Sequence, residues 1–315
     1  MKICILDNCF LSDQQIKRLK KIGKVANYQR TDTEKSAIFR LHDADIAIVN
    51  SFITPLSKNV FESVNKLKFV ALNSTGYDNI DLIAAKKQGI VIANNVGFAT
   101  EAVAEHVFAL IMALSKKIVL SDQMMKNEPF ELNASSKKHH TLLGFNLKNK
   151  KLGIIGYGKI GKRVAKIGLS FGMKIIAYNR SNFDQTNVKR ISLKKLMKSS
   201  DIITIHLPLD KTTNNIISED MLKLMKPSAI IVNTSREKIL DSSCLYNMLS
   251  KKKIYGAGLD VTGTIPTHSP VLSLDNIIIT PHSAWYTKES LSNSPEFIVK
   301  NIENFIKRRP RNLIN

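Results

Sequence analysis

A glycine-rich turn constrains the fold of this chain more than any other feature of its sequence. The segment Gly156-Tyr157-Gly158-Lys159-Ile160-Gly161 has the spacing G-x-G-x-x-G, follows an apolar run at 152–155 and opens a helical pattern. In such a turn the first glycine permits a tight bend, the second lets a phosphate approach the backbone, and the third lets the helix pack closely on the strand. The context therefore predicts a dinucleotide site, with the phosphates held at the helix N-terminus.

Short apolar runs separated by helical segments continue on both sides of this turn. After residue 150 the runs lie at 152–155, 173–178, 201–207, 229–233, 255–260 and 276–280. Before residue 95 they lie at 3–6, 25–28, 45–49, 69–72 and 90–93, and one long helical pattern covers 100–126. Strands that alternate with helices favour parallel, doubly wound sheets. We therefore predict an α/β protein with two doubly wound parallel-sheet domains, in which Ser12 opens the first helix and a terminal helix begins at Lys288.

Length and cysteine content fit this division. The chain has 315 residues, whereas single hydrophobic cores stop growing near ~250–300 residues. No apolar run reaches the roughly 18 residues of a membrane span, and the N-terminal segment has a strand pattern rather than that of a signal peptide. We therefore expect a soluble, cytoplasmic protein with no membrane partner. Cys4, Cys9 and Cys244 form no C-x-x-C pair and no histidine cluster has zinc spacing, so we expect neither a disulfide framework nor a metal site.

The positive charge of the chain is high. Lysine and arginine number 47 against 26 acidic residues, which gives a formal net charge of +21. A strongly basic balance is one mark of nucleic-acid binding. Here the basic residues are spread along the whole chain and are not interleaved with aromatics, which favours solvated basic faces. We do not expect a nucleic-acid partner, although the field would attract a small anionic ligand.

The end of the second strand after the glycine turn bears on the choice of cofactor. NAD-binding folds place Asp or Glu there to bind the ribose hydroxyls. This chain has Tyr178-Asn179-Arg180-Ser181, with no carboxylate to repel a 2′-phosphate. Arg180 can pair with that phosphate, and Asn179 and Ser181 can donate hydrogen bonds to it. The pattern therefore predicts that NADP(H) is preferred, with NAD(H) as the alternative if Arg180 is only a solvated surface residue.

Several segments, taken in order, resemble the D-isomer-specific 2-hydroxyacid dehydrogenases over nearly the whole chain. They are 73–81 (NSTGYDNID), 102–106 (AVAEH), 206–213, 225–236, 258–261 (GLDV) and 280–285 (TPHSAW). Within that family the first and last segments are most similar to glycerate dehydrogenases and hydroxypyruvate or glyoxylate reductases. The C-terminal-binding corepressors share the last one. The resemblance implies a Rossmann coenzyme domain, 99–285, inserted in a flavodoxin-like substrate domain, 1–98 plus 286–315.

The resemblance also implies roles for individual residues, and the chemistry of a 2-oxoacid supports them. Backbone N–H groups around Ser74, Thr75 and Gly76 would hold the substrate carboxylate. Arg236 would clamp the carboxylate and the carbonyl, since its guanidinium is always charged. His282 would deliver a proton to the carbonyl oxygen. The other predicted contacts are Trp285 to the substrate and, to the cofactor, Thr100, His206, Pro208, Thr213, Thr234, Ser235, Asp260 and His282.

Two positions depart from the family's pattern. The family places a Glu five residues past the Asp of its Asp-Val pair, where it hydrogen-bonds the catalytic histidine. This chain has Ile265 there, and no acid occurs between Asp260 and Asp275. The residue after the arginine, usually Gly, is Glu237. Without a carboxylate partner, His282 has less reason to be protonated at neutral pH, so reduction would favour lower pH unless Glu237 supplies the charge.

Together these residues predict NAD(P)H-dependent reduction of a small 2-oxoacid, such as glyoxylate or hydroxypyruvate, to the D-2-hydroxyacid. The change at Ile265 leaves two alternatives open. One is a specialised biosynthetic 2-hydroxyacid dehydrogenase, and the other is a nucleotide-binding regulator without turnover. By resemblance we also expect a homodimer formed through the coenzyme domain, with helix 99–126 and residues 127–150 in the contact.

Overall fold

The computed structural model describes residues 1–127, 140–183, 186–260, 266 and 268–315. Ile265 and part of the expected dimer segment 127–150 lie outside the described residues. The chain divides into two compact units, Met1–Ala99 with Tyr286–Asn315, and Thr100–Trp285. Ala99, which was predicted to belong to the coenzyme domain, lies in the first unit, and the first helix of the second unit begins at Thr100.

The first unit is built on a parallel sheet. Its strands, among the residues described, are β1 (Lys2–Ile5), β2 (Lys24–Asn27), β3 (Ile46–Val49), β4 (Phe69–Leu72) and β5 (Val91–Ala93). Its helices are α1 (Asp13–Ile22), α2 (Glu34–Leu41), α3 (Lys58–Ser63), α4 (Leu82–Lys87) and the C-terminal α11 (Lys288–Ile306). The strand order β2-β1-β3-β4-β5 is the flavodoxin-like order. β3 and β4 are buried along their whole length, which explains their continuous apolar sequence.

Helix starts in this unit follow local capping chemistry. The hydroxyl of Ser12 accepts from the N–H of Gln15, and the Gln15 side chain accepts from the N–H of Ser12, which forms a capping box at the start of α1. Thr287 accepts from the N–H of Ser290 at the start of α11. Because these signals are local, the sequence placed both helix starts correctly.

The second unit carries a larger parallel sheet. Within the described ranges its strands are β6 (Lys151–Ile155), β7 (Lys174–Tyr178), β8 (Lys189–Arg190), β9 (Ile202–Ile205), β10 (Ile230–Asn233), β11 (Gly256–Asp260) and β12 (Ile277–Thr280). Its helices are α5 (Thr100–Ser115), α6 (Ile118–Asn127), α7 (Lys159–Ser170), α8 (Leu193–Ser199), α9 (Glu219–Leu222) and α10 (Ser242–Ser250). The order β12-β11-β10-β9-β6-β7-β8 is the Rossmann order with one added strand. The predicted fold class is therefore confirmed.

Two details of the second unit differ from the sequence prediction. β8 was missed because its two residues are both exposed and carry no apolar signal. The single helix predicted over 100–126 is broken, since Lys117 adopts a φ of +56° between α5 and α6. The carbonyl oxygen of Ser115 accepts from the N–H of Phe145 (2.9 Å) instead of continuing the helix. No helix in the described part of the chain, α5 included, is long and apolar enough to cross a membrane.

Apolar clusters cover both faces of the second sheet. One cluster contains Ile203, Ile231 and Leu245, and the other contains Val107 of α5 and Val164 of α7. Three neighbouring strands of this sheet, β10, β11 and β12, end at its carboxyl edge in the polar residues Asn233, Asp260 and Thr280. In doubly wound sheets ligands bind at that edge.

Candidate active site

The glycine-rich turn joins β6 to α7, and each of its glycines has a different surrounding. Gly156 has a φ of +96°, a conformation that L side chains rarely adopt, and a Cβ there would lie 2.6 Å from the carbonyl oxygen of His206. A Cβ on Gly161 would collide with the carbonyl oxygen of Gly156. A Cβ on Gly158 would meet no atom within 4 Å. Gly156 and Gly161 therefore permit close packing, whereas Gly158 leaves open space beside the backbone.

The N-terminus of α7 lies at this open space. Gly158 is its N-cap, offers no side chain to the first-turn N–H groups, and no acidic residue follows in the first turn. Lys159 and Ile160 are the first residues of the helix. The N–H of Tyr157 donates to Asn179 Oδ1 (3.1 Å), which ties the turn to the end of β7. An uncapped helix N-terminus with open space beside it fits a pyrophosphate.

The segment after β7 is shaped by its own side chains. The Nδ2 of Asn179 donates to Ser181 Oγ (2.8 Å), so the Asn179 amide is engaged at both of its ends. Arg180 is exposed, and its Nη1 donates to Thr212 Oγ1 (3.3 Å). The Thr212 hydroxyl in turn donates to Asp210 (2.7 Å), and this hydrogen bond lowers the pKa of the Asp210 carboxyl. Arg180 is thus oriented by a residue of the loop that follows β9.

Two buried polar atoms at the ends of β9 and β10, His206 Nε2 and Thr234 Oγ1, have no hydrogen-bond partner among the described residues. Burial lowers the pKa of His206 to about 3, so its imidazole is neutral at working pH. A buried polar atom without a partner costs about 1–3 kcal/mol. In the loop after His206, Thr213 Oγ1 donates to the carbonyl oxygen of Pro208 (2.6 Å). A dinucleotide, which carries ribose hydroxyls and a carboxamide, fits these donors and acceptors.

A turn after β10 presents Arg236. The Oδ1 of the buried Asn233 accepts from the N–H (3.0 Å) and the hydroxyl (2.7 Å) of Ser235. The Nδ2 of Asn233 donates to the carbonyl oxygen of Arg236 (2.8 Å), and Arg236 Nη1 donates to the carbonyl oxygen of Ser235 (3.0 Å). Asn233 therefore fixes the backbone on both sides of the arginine. Asn233 had no predicted role, although it ends a buried apolar run.

Asp260, the last residue of β11, organises the segment that carries His282. Its carboxylate is 1% exposed and accepts from Thr280 Oγ1 (2.6 Å), from the N–H of Ser283 (2.8 Å) and from the N–H of Ala284 (3.0 Å). His282 itself has a φ of +52°, and its Nδ1 lies 3.9 Å from Asp260 Oδ2. A left-handed histidine is strained and persists where its surroundings fix it. The carboxylate thus both holds the turn and places a negative charge beside the imidazole.

A second histidine reaches the same carboxylate through Thr280. His106 Nε2 on α5 lies 3.0 Å from Thr280 Oγ1. The Thr280 hydroxyl has one proton, and the short contact to the carboxylate uses it, so His106 must donate at Nε2. Both residues lie in segments that resemble the family, but neither had a predicted role. Their contact spans 174 residues of chain, which no local pattern reveals.

The first unit presents the predicted carboxylate-binding loop after β4. Ser74 Oγ donates to the carbonyl oxygen of Gly76 (2.8 Å) and lies 2.8 Å from Ser51 Oγ. The carbonyl oxygen of Thr75 accepts from Asn94 Nδ2 (2.8 Å). The backbone N–H groups of 74–76 donate no hydrogen bond to the described residues. Several oxygens of this loop therefore form hydrogen bonds within the unit, while the backbone N–H groups of Ser74, Thr75 and Gly76 stay available to an anion.

The structure thus brings most of the predicted residues of the second unit to one edge of its sheet. These are Gly156, Gly158, Lys159, Ile160, Gly161, Asn179, Arg180, Ser181, His206, Pro208, Thr213, Thr234, Ser235, Arg236, Asp260 and His282. Thr100 is the first residue of α5, and Trp285 is half-buried at the end of the unit. Within the described ranges, no three His, Cys, Asp or Glu side chains are grouped so as to hold a metal ion.

The glycine turn gives a matched pair of predictions. Gly158→Ala should leave the melting temperature nearly unchanged, because its methyl enters open space, but should weaken dinucleotide binding about tenfold or more where the methyl meets a phosphate. Gly161→Ala should destabilise the fold by about 1–3 kcal/mol through its clash with the Gly156 carbonyl. Thermal unfolding and cofactor titration of both variants measure this. Equal loss of stability in the two variants would contradict the open space at Gly158.

Comparison with known proteins agrees with this fold. The profile of the D-isomer-specific 2-hydroxyacid dehydrogenase NAD-binding domain matches residues 108–284. A glyoxylate reductase of Korarchaeum cryptofilum is 37% identical over 90% of this chain and 86% of its own. A hydroxypyruvate reductase of Blautia hydrogenotrophica is 34% identical over the whole of both chains. Among solved structures, an acyclic imino acid reductase in complex with NADPH and D-Arg is 34% identical, with a TM-score of 0.92 over 100% of both chains.

Proposed function

Because the chain belongs to the D-isomer-specific 2-hydroxyacid dehydrogenase family, whose members are NAD(P)-dependent oxidoreductases, we propose that it reduces a small 2-oxoacid to the D-2-hydroxyacid. Glyoxylate and hydroxypyruvate are the proposed substrates, since reductases of both are among its relatives. The observation that carries the proposal is the half-buried His282, held beside the buried carboxylate of Asp260. Arg236 lies in the turn that follows β10 of the same sheet, and Asn233 fixes its backbone through a hydrogen bond to its carbonyl oxygen.

Two groups would bind the substrate carboxylate. The backbone N–H groups of Ser74, Thr75 and Gly76 offer three neutral donors that are not used within the first unit. Arg236 offers a charged, planar fork that matches a carboxylate and the adjacent carbonyl. Trp285 would border the rest of a small substrate. A clamp of this kind supports catalysis by orienting the carbonyl rather than by bond chemistry.

Reduction of the carbonyl needs a hydride at carbon and a proton at oxygen. The dihydronicotinamide of the cofactor supplies the hydride when it is bound. His282 would supply the proton from its ring, and the negative charge 3.9 Å away would favour the charged imidazole. Arg236 would stabilise the negative charge that develops on the oxygen during hydride transfer. In the oxidation direction the neutral His282 would take the proton from the hydroxyl.

The cofactor would lie along the carboxyl edge of the second sheet. The pyrophosphate would occupy the N-terminus of α7, and the ribose and carboxamide groups would bind near the ends of β9, β10 and β11. His206 Nε2 and Thr234 Oγ1, which lack partners among the described residues, would gain hydrogen bonds there. Asp260 already accepts three hydrogen bonds from its own unit, so its contribution to cofactor binding would be limited to its remaining acceptor capacity.

NADPH is the proposed cofactor in preference to NADH. The segment after β7 contains no carboxylate at 179–181, and the Arg180 guanidinium is exposed there, oriented by Thr212. The Ser181 hydroxyl accepts from Asn179 and keeps its own proton for donation. These features would favour a 2′-phosphate over a free 2′-hydroxyl. NADH would bind more weakly because Arg180 would have no anion to pair with.

We also infer a homodimer formed through the second unit. α6 has no buried residue, and three of its apolar side chains, Ile118, Val119 and Met125, are 53%, 40% and 60% exposed. Leu143 is 76% exposed. Grouped exposed apolar side chains are typical of protein interfaces. Light scattering tests the inference: a particle of twice the chain mass is expected, and a particle of one chain mass would refute it.

NADPH consumption, followed by absorbance, tests the proposed function. Glyoxylate and hydroxypyruvate should each be reduced across a range of pH, with a higher kcat/KM for NADPH than for NADH. Binding of NADPH should be measured in the same protein by its fluorescence. A protein that binds NADPH but oxidises it with neither substrate at any pH would overturn the proposal and favour a specialised substrate or a regulator without turnover.

Reduction of a 2-imino acid is a second candidate, favoured by the solved imino acid reductase that matches the whole chain. The iminium carbon of R–C(=NH₂⁺)–COO⁻ accepts a hydride to give R–CH(NH₂)–COO⁻, and the amine then takes a proton from water. Since the iminium is already charged, this reaction needs no proton from His282. That suits a chain with no acid between Asp260 and Asp275. Formation of NADPH from NADP⁺ with D-arginine at alkaline pH, and none with D-glycerate, would establish this candidate over the first.

A further inference from the structure

Arg190, on the edge strand β8, lies against the same segment as Arg180. β8 pairs with β7 so that Arg190 stands opposite Ala177, two residues before Asn179. The Nη2 of Arg190 donates to the carbonyl oxygens of Asn179 (3.3 Å) and Arg180 (3.5 Å). The Arg190 guanidinium therefore forms a hydrogen bond with the backbone of Arg180.

Within the described part of the chain, both guanidinium groups contact only neutral partners. Arg180 contacts Thr212 Oγ1 and Arg190 contacts carbonyl oxygens, all of them neutral acceptors, and neither forms an ion pair with a described residue. Each guanidinium has five N–H donors and engages a described residue through one nitrogen. Like charges held near each other favour the binding of an anion that both can reach.

We propose that Arg190 is a second ligand, with Arg180, for the 2′-phosphate of NADPH, and therefore a specificity-determining residue. The inference rests on the proposed preference for NADPH. A phosphate close to its dianion presents three acceptor oxygens, which two guanidinium forks can share. Thr212 orients Arg180, and the carbonyl oxygens of Asn179 and Arg180 orient Arg190, so less side-chain freedom is lost on binding.

Binding of NADPH and NADH to variants of this pair tests the proposal. Arg190→Gln keeps donors for the two carbonyl oxygens but removes the charge. It should weaken NADPH binding about tenfold or more and leave NADH binding unchanged. Arg190→Lys, which keeps the charge, should recover most of the NADPH affinity. The measurement is the dissociation constant from cofactor fluorescence at two salt concentrations, with adenosine 2′-monophosphate and 5′-monophosphate as competitors, so it needs no turnover.

Lys189→Gln is the matched control, because it removes the same charge from the neighbouring residue of the same two-residue strand. Successive side chains of a strand point to opposite faces, so Lys189→Gln should change the affinities for NADPH and NADH equally and little. If Arg180→Gln lowers NADPH affinity selectively but Arg190→Gln does not, Arg190 is no ligand and the cofactor proposal stands. If neither arginine variant changes the ratio of the two affinities, the NADPH preference itself is wrong, and the inference falls with it.

Discussion

Replacing His282 by asparagine is expected to lower kcat for 2-oxoacid reduction by about 10²–10⁴-fold. Asparagine keeps a polar side chain and tolerates the left-handed backbone at this position (φ +52°). It has no proton to release at working pH, so the developing alkoxide would have to take its proton from water. Steady-state kinetics with glyoxylate and hydroxypyruvate give kcat, and cofactor fluorescence shows whether NADPH still binds.

His42→Asn is the control for this substitution. It makes the same chemical change at a histidine of the first unit whose side chain is 63% exposed, and kcat should not change. A His282→Asn variant that keeps kcat within about tenfold of the parent protein would contradict proton delivery by His282. It would instead favour an iminium substrate, which arrives at the site with its proton already in place.

The elements that the sequence predicted correctly depend on local patterns. Apolar runs specify the buried strands, the Ser12 and Gln15 pair specifies a helix start, and the G-x-G-x-x-G spacing specifies the turn after β6. Each signal lies within a few residues of the structure that it predicts. The break at Lys117 was missed because its cause, the hydrogen bond from Phe145 to Ser115, joins residues 30 positions apart.

The roles of residues at the site were harder to predict, for the same physical reason. The contact of Asp260 with the cofactor stays a prediction, whereas its hydrogen bonds from Thr280, Ser283 and Ala284 were not predicted. His106 enters the site through Thr280 from a helix far away in sequence. Arg190 lies on a strand that has no apolar pattern. Residue types and motifs predicted which segments contribute to the site, whereas the hydrogen-bond partners of individual atoms depend on tertiary packing.

Asp260→Asn is expected to move the pH at which reduction is half-maximal to a lower value. The carboxylate lies 3.9 Å from His282 Nδ1 and favours the imidazole that carries the proton. Without that charge, the ring gives up its proton at lower pH, so the form that reduces the 2-oxoacid is lost earlier as the pH rises. In the oxidation direction, which uses the neutral ring, activity should extend to lower pH.

The same substitution should destabilise the second unit by about 1–3 kcal/mol. Asparagine can still accept from Thr280 and Ser283 with its oxygen, but its NH₂ group would face the N–H of Ala284, where Oδ2 now accepts a hydrogen bond. Denaturant unfolding measures this loss separately from the pH profile. Thr280→Val, which removes one donor and keeps the charge, should destabilise the turn without the full shift in pH dependence.

Asp275→Asn supplies the control, because Asp275 is the next acid along the chain, is 47% exposed and lies 3.9 Å from Lys252 at the surface. It should alter neither the pH profile nor stability beyond about 1 kcal/mol. If the pH profile of a folded Asp260→Asn variant matches that of the parent, the carboxylate does not act on His282 and only anchors the turn. The charge that favours the protonated ring would then have to come from elsewhere, and Glu237, on the loop beside Arg236, would be the next residue to replace.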